Sequence, residues 1–276
     1  IDYDGSSATT DSSRNYSTEE YVADVVYGVK QICDLEGVNH PNIVSESGRA
    51  ITAHHSLVVT NVVGEVSLTG TKFDISTEEG EHALVSNMRE LVTAQEMHPH
   101  ERYNDAAAYK QSAYAAFKLG ILSIIDMAKI DTMYWQILSD IHNALDDETR
   151  QIQELDDLED SLASQYLANF SIFQSAADTW AIGQLLPIIP LHRLNEKPEV
   201  RCSIADITCD SDGKIGKYIE RNQISENIPM HKMRKGEEHT IGMFLTGAYQ
   251  DVMGDMHNLF GRLTEVHIFS HDDEPG

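Results

Sequence analysis

The chain has 276 residues and carries 20 Lys and Arg against 45 Asp and Glu, a formal net charge of −25. That length suits one large domain or two ordinary ones, and 41% hydrophobic residues spread along the chain exclude wholesale disorder. The acidic balance, with no Lys/Arg run, argues against a nucleic-acid partner and against an anionic membrane surface.

Cys33, Cys202 and Cys209 are too few, and odd in number, for a disulfide framework, so the expected compartment is the cytoplasm. The most apolar stretch, around Leu119 to Leu138, is broken by Asp126, Lys129 and Asp131 and does not read as a membrane span. The opening Ile1-Asp2-Tyr3-Asp4 has neither part of a signal peptide and lacks Met, so Ile1 is not expected to be the natural start.

In chain order, a Gly/Ser/Thr/Asp-rich opening leads to a helix predicted from Thr18. Ser17 and Glu20 supply a capping box, and Val22, Val25, Val26, Val29 and Ile32 supply an apolar stripe. Residues 41–75 read as strands: a short one at Asn42-Ile43-Val44, and a longer one, rich in Val and Thr, from Leu57 to Val66. A helical block then runs from about 77 to 167. Its apolar faces are Tyr114, Phe117, Ile121, Ile124 and Ile125; then Tyr134, Ile137, Leu138, Ile141 and Leu145; then Leu155, Leu158, Leu162 and Tyr166. The acidic segment 146–160 reads as a solvated helix face. Strand patterns return after about 170, at Ser203 to Thr208, Met243 to Leu245 and Val266 to Phe269, with Pro187 and Pro190 marking a loop. Strands on both sides make the helical block an insertion into a sheet-forming domain.

Three polar clusters carry chemistry. Thr208-Cys209-Asp210-Ser211-Asp212-Gly213 sets two carboxylates beside a thiol. Paired carboxylates suit a guanidinium and a thiol can move a proton, but the same residues make an ordinary turn. As a calcium loop the stretch fails, with Thr208 and Ile219 where carboxylates belong. Glu46-Ser47-Gly48-Arg49 can serve two ends of an anionic cofactor, Arg at a phosphate and Glu at a protonated ring nitrogen, or form a surface ion pair. Thr246-Gly247-Ala248-Tyr249 can bring a hydroxyl to a phosphate, or bury a Tyr for packing. His54-His55 and His98-Pro99-His100 lack metal-ligand spacing, and Met253 and Met256 read as core.

As an ordered set, these stretches resemble the bacterial biosynthetic arginine decarboxylases. The resemblance runs from Asp2-Tyr3-Asp4-Gly5 through Ser45-Glu46-Ser47-Gly48-Arg49-Ala50 and Thr52-Ala53-His54-His55 to Ala168-Asn169-Phe170-Ser171-Ile172-Phe173-Gln174-Ser175. It continues in Asp206 to Gly213, Gly247-Ala248-Tyr249-Gln250 and Met256-His257-Asn258-Leu259-Phe260-Gly261. It implies an α/β plus all-β fold: the end of a pyridoxal-phosphate-binding (β/α)8 barrel followed by a β-sandwich or barrel domain with an inserted helical bundle. Residues 1–50 would be the last part of the barrel, 51–75 the start of the β-domain, 76–167 the bundle and 168–276 the rest of the β-domain.

The resemblance also implies roles. Glu46 would face the pyridine nitrogen of pyridoxal 5'-phosphate, and Arg49 and Tyr249 would hold its phosphate. Cys209 would govern protonation at Cα. Asp210 and Asp212 would bind the substrate's cationic end, with Asp178, Asp2 and Tyr3 as further substrate contacts. The implied activity is decarboxylation of L-arginine to agmatine and CO2 in polyamine biosynthesis, by a homo-oligomer whose dimer shares active sites or whose dimers pair into a tetramer. Mg2+ is reported for family members, but no carboxylate site for it is readable here. The family's Schiff-base lysine, ring-stacking His and triple-glycine loop would all precede Ile1. The chain is therefore expected to be a C-terminal-half fragment, inactive alone. Two alternatives stay open: a related decarboxylase for ornithine, lysine or diaminopimelate, and a truncated homologue that binds and regulates a full-length decarboxylase.

Overall fold

The structure is a computed structural model that describes residues 17–46, 48–68, 74–77, 79–145, 158–220 and 223–269. It divides into two compact units. One takes the chain up to Gly64, Tyr166–Glu199 and the chain from Ser203 on; the other takes Glu65–Gln165 with Val200–Cys202.

In the first unit, helix α1 (Thr18–Glu36) forms where its caps dictate. The Ser17 side chain accepts the Glu20 N–H at 3.1 Å, and the Glu20 carboxylate accepts the Ser17 N–H at 2.7 Å. Gly37, at φ 65°, ends the helix in the left-handed conformation that glycine adopts without penalty. The capping box is as the sequence predicts, but the apolar stripe is not covered: Val22, Val26 and Ile32 are exposed and only Cys33 is buried. Asn42-Ile43-Val44 forms no strand, and Ile43 and Val44 are exposed.

A short helix α2 (Gly48–Thr52) and a 3-10 turn (Ala53–His55) lead into strand β1 (Val58–Val66). The other strands are β2 (Ser164–Ala168), β3 (Ile188–Pro190), β4 (Val200–Ala205), β5 (Lys214–Ile215), β6 (Tyr218–Glu220), β7 (Gln223–Ser225), β8 (Ile228–Met230) and β9 (Thr240–Met243). The main sheet has the order β3-β9-β1-β2-β4-β5, with β8 also pairing with β4, while β6 and β7 form a separate hairpin. Strand β9 lies antiparallel to both flanking strands, pairing Met243 with Val58 on one side and with Ile188 on the other.

Alternation decides which side chains are buried, as a period of two requires. In β2 the buried residues are Ser164, Tyr166 and Ala168, so Tyr166 is a strand residue and not the end of a helical face. The predicted strand at Met243 to Leu245 sits three residues late, because the ladder ends at Met243 and Leu245 turns to φ 62°. Val266 to Phe269 makes no strand; its apolar side chains are exposed, as are Met253 and Met256, which the sequence places in the core.

The second unit is helical. Helices α3 (Ala83–Thr93), α4 (Pro99–Lys118), α5 (Ile124–Ala144) and α6 (Leu158–Leu162) enclose Val85, Met88, Leu91, Ala106, Ala113, Ile130, Met133, Ile137, Leu138, Ile141 and Leu158. The face from Tyr134 to Leu145 points inward as its 3.6-residue period predicts. The stretch Tyr114 to Ile125 is not one face, since a loop separates α4 from α5 and leaves Tyr114, Ile121, Ile124 and Ile125 exposed. Leu155 lies outside the described residues. Arg102 is buried in this apolar setting because its guanidinium donates to the Leu91 and Val92 carbonyls, at 2.8 and 2.9 Å, that end α3.

The sheet unit also holds a stack of imidazoles. His192 lies 4.3 Å from His239 and 5.4 Å from His231 between ring centroids, and Tyr166 meets His239 edge-on at 5.3 Å. Burial pushes the His239 imidazole down to about 4, with His192, Arg193 and His231 acting in the same direction. Burial, Arg193 and His192 also lower His231, against the pull of Glu196 and Glu199. An unfolded histidine protonates near 6.5. Neutral His239 therefore contributes its full stability above roughly pH 6.5, and that contribution is lost as pH falls through about 4. Melting temperature should fall between those limits, and should fall less steeply in His239→Phe. Identical slopes for the two proteins would remove His239 from the acid response.

Candidate active site

Two clusters of the predicted site residues lie within the sheet unit. The first is the loop after β4, and a buried carboxylate shapes it. Asp206 Oδ2 accepts the Ile172 N–H at 2.8 Å, and Oδ1 accepts the Thr208 N–H at 2.9 Å and the Thr208 hydroxyl at 2.7 Å. The Asp206 N–H donates to the Gly213 carbonyl at 2.7 Å, closing the loop on itself. A Cβ on Gly213 would stand 2.3 Å from Asp206 Oδ1, so this position needs glycine for close approach and not for a turn.

The loop so formed presents Cys209, Asp210 and Asp212 outward, all exposed. Asp210 Oδ1 accepts the Asp212 N–H at 3.0 Å, a local Asx turn. The opposing segment runs through Asp255, whose N–H donates to the Phe173 carbonyl at 3.0 Å, to a 3-10 turn at His257–Leu259. There His257 Nε2 sits 3.6 Å from Asp210 Oδ2, and Asn258 Nδ2 donates to Cys209 Sγ at 3.3 Å. Of the three free cysteines, Cys33 and Cys202 are buried, and burial pushes the Cys202 thiol up to about 12. Cys209 alone is exposed.

The second cluster joins α2 to the segment after β9. Arg49 lies with its guanidinium carbon 5.6 Å from the Tyr249 ring centroid. A Cβ on Gly48 would approach the Tyr249 hydroxyl to 2.9 Å, so the glycine leaves that hydroxyl room beside the Arg49 backbone. Gly247 is held closer still, its N–H donating to the Ala53 carbonyl at 3.1 Å and its missing Cβ 2.1 Å from the Thr52 carbonyl. Tyr249 is a bulky residue at φ 69°, a conformation that costs on the order of 1–3 kcal/mol and persists where its surroundings impose it. Glu46 is exposed, two residues before α2. A guanidinium, a phenol hydroxyl and a glycine-cleared space together fit a phosphate group.

Gln250 connects this segment to helices α7 (Ile172–Ser175) and α8 (Ala177–Ala181). Its side chain accepts the Asp178 N–H at 3.0 Å and donates to the Asp178 carboxylate at 2.9 Å, so Asp178 stands next to the residue that follows Tyr249. Gly254 completes the link, since a Cβ there would lie 2.1 Å from the Gln174 carbonyl. Short helix α9 (Gln250–Met253) thus lies against α7 and α8. Sequence reasoning missed Asp206, Gln250, His257 and Asn258 as parts of this arrangement. All four lie in stretches that carry the resemblance, Asp206 to Gly213, Gly247 to Gln250 and Met256 to Gly261, but none was given a role. Asp2, Tyr3 and Ser47 lie outside the described residues. No group of three or more His, Cys, Asp or Glu suited to a metal ion occurs among the described residues, nor is any described helix long and apolar enough to cross a membrane.

Removing the Asp206 carboxylate would leave the Ile172 and Thr208 donors unpaired, one of them in a buried backbone. Asp206→Ala should destabilise the sheet unit by about 2–4 kcal/mol in urea titration and speed amide exchange across 208–213. Retained stability and exchange would show that the loop is held by something else.

The family of the arginine decarboxylase helical bundle domain matches residues 78–159. The biosynthetic arginine decarboxylase of Gloeobacter violaceus is 43% identical over all of this chain, which covers 43% of that relative. The Pseudomonas putida enzyme of the same name is 42% identical over 99% of this chain and 43% of its own length. The crystal structure of the biosynthetic arginine decarboxylase from Campylobacter jejuni superposes with a TM-score of 0.77 at 31% identity, covering 93% of this chain and 41% of that one. The chain thus spans about two fifths of the length of the curated relatives it matches, and over that span it is similar to biosynthetic arginine decarboxylases.

Proposed function

We propose that this chain contributes to a pyridoxal-phosphate-dependent decarboxylase that converts L-arginine to agmatine and CO2, the first step of a route to polyamines. The observation that carries this reading is the pair of clusters built within one unit. One, Arg49 with Tyr249, suits a phosphate; the other, Cys209 with Asp210, suits a proton and a cation. The finer architecture belongs to the same proposal. Residues 1–50 would end a (β/α)8 barrel, 51–75 and 168–276 would form the β-domain, and 76–167 would be its inserted bundle.

Each residue has a defined task. Arg49 and the Tyr249 hydroxyl hold the cofactor phosphate, and Glu46 faces the ring nitrogen and keeps it protonated. When bound, the cofactor supplies an electron sink for the electrons left on Cα as the carboxylate departs as CO2. Cys209 holds the proton delivered to Cα, in a position an exposed thiol can occupy only if its loop is fixed. Asp210, with Asp212 two residues on, takes the guanidinium through charge-assisted hydrogen bonds; a planar fork matched to carboxylates selects arginine over a shorter ammonium. Asp178, tied to Gln250, is a further substrate contact. The loop of Cys209 and Asp210 serves a second copy of the chain, so the working unit is a homodimer.

The test is product identification. The purified gene product, supplied with pyridoxal phosphate and L-arginine, should release CO2 and yield agmatine by mass spectrometry. Asp210→Asn should raise KM for arginine by roughly tenfold to a hundredfold, the worth of one charge-assisted pair. Cys209→Ala should lower kcat and divert product away from agmatine. Turnover of ornithine, lysine or diaminopimelate in place of arginine would overturn the substrate assignment, and indifference of product to Cys209→Ala would remove the thiol from the reaction.

A further inference from the structure

The segment Met256 to Gly261 stands out in the sequence yet has no task in the reaction just described. In the structure, two consecutive residues of it meet two consecutive residues of the loop after β4. Asn258 Nδ2 donates to Cys209 Sγ at 3.3 Å, and His257 Nε2 lies 3.6 Å from Asp210 Oδ2. Cys209 and Asp210 are both exposed, and these contacts hold their side chains from the solvent side.

We propose that His257 and Asn258 form a two-residue clasp that positions the Cys209 thiol and the Asp210 carboxylate. The inference rests on the reading of Cys209 and Asp210 as reacting and substrate-binding groups, but the contacts stand apart from it.

The backbone explains how adjacent side chains can reach adjacent targets. Asn258 sits at φ 54°, ψ 29°, the left-handed region that Asn tolerates better than other non-glycine residues. That single residue turns the chain, so the amide and the imidazole both face the loop. The His257 ring is fixed from its other side by Phe173, 4.4 Å away between centroids, and Phe173 in turn meets Trp180 edge-on at 5.1 Å. The Phe173 carbonyl accepts the Asp255 N–H, and the neighbouring Ile172 N–H donates to Asp206. Helix α7 therefore anchors both halves, the loop through Asp206 and the clasp through Asp255.

The chemistry follows from the donors. An amide N–H aimed at sulfur favours the thiolate and fixes its direction, whereas carboxylates on the same loop disfavour it. The titratable groups on the elements packed here are Asp206, Asp210 and Asp212 on the loop, Asp255 and His257 on the clasp, and Asp178 on α8. Asn258 is the uncharged donor among them that touches Sγ. His257 holds Asp210 Oδ2 while the Asp212 N–H holds Oδ1, which orients the carboxylate plane. Both are positioning residues.

The experiment uses the full chain and iodoacetamide, with alkylation of Cys209 timed at fixed pH by peptide mass spectrometry. Cys33 and Cys202, both buried, serve as internal references. Asn258→Gly removes the amide yet keeps a residue suited to positive φ, so the turn survives. It should lower the alkylation rate of Cys209 by roughly threefold to tenfold, the worth of one modest hydrogen bond. His257→Phe keeps a ring against Phe173 and removes Nε2. It should speed exchange of the Asp212 amide by roughly twofold to tenfold, the worth of one modest polar contact. An unchanged alkylation rate in Asn258→Gly overturns the clasp on the thiol, and unchanged Asp212 exchange in His257→Phe overturns it on the carboxylate. Neither readout involves arginine, so the product test above judges the function reading while these results judge the clasp alone.

Discussion

One buried carboxylate organises the candidate site. Asp206 is 5% exposed and accepts three hydrogen bonds, one from the first turn of α7 and two from Thr208. A carboxylate so far from water survives only when its oxygens are paired, and each pairing fixes a different piece of chain. The Ile172 donor sets where α7 begins relative to β4. The Thr208 donors start the loop, and the Gly213 carbonyl ends it against the Asp206 N–H. Cys209 and Asp210 lie between those two fixed points, so their exposure does not make them free.

Close backbone approach supplies the rest of the rigidity. Gly213, Gly247 and Gly254 each sit where a Cβ would fall within 2.3 Å of an oxygen, and the three oxygens belong to Asp206, Thr52 and Gln174. Glycine is needed at these positions for space, and the space brings four distant stretches together: 48–56, 171–178, 206–213 and 246–258. Tyr249 at φ 69° lies between two of these glycines. Its backbone is held on one side by Gly247 against Thr52, and on the other by Gln250 against Asp178. The strain is thus carried by contacts on both flanks, and the hydroxyl it aims lies beside Gly48 and Arg49.

Local physics was legible in the sequence and long-range physics was not. The capping box of Ser17 and Glu20, the inward face from Tyr134 to Leu145 and the strand from Val58 depend on neighbours within a few residues, and all three are present. Burial of the α1 stripe and of Ile43 and Val44 depends on what covers them, and a periodic pattern carries no information about the partner. Val266 to Phe269 has strand propensity without a ladder, for the same reason. In the site, the outward residues Cys209, Asp210, Arg49 and Tyr249 were readable as chemistry in short motifs. The residues that hold them were not. Asp206, Gln250 and His257 act across 34 to 72 positions of sequence, where spacing rules say nothing.

The two kinds of histidine in the sheet unit show how environment decides what the same side chain does. His239 is packed among His192, His231 and Tyr166, with an Nε2 that finds no partner, so desolvation holds it neutral far below the usual range. Its proton affinity belongs to folding, because charging it requires the stack to open. His257 lies at the surface beside a carboxylate and a ring, with one face wet. Its contacts orient a surface loop and form no part of the packed stack. The site and the stack are separate because Asp206, and not either histidine, joins the loop to the body of the unit.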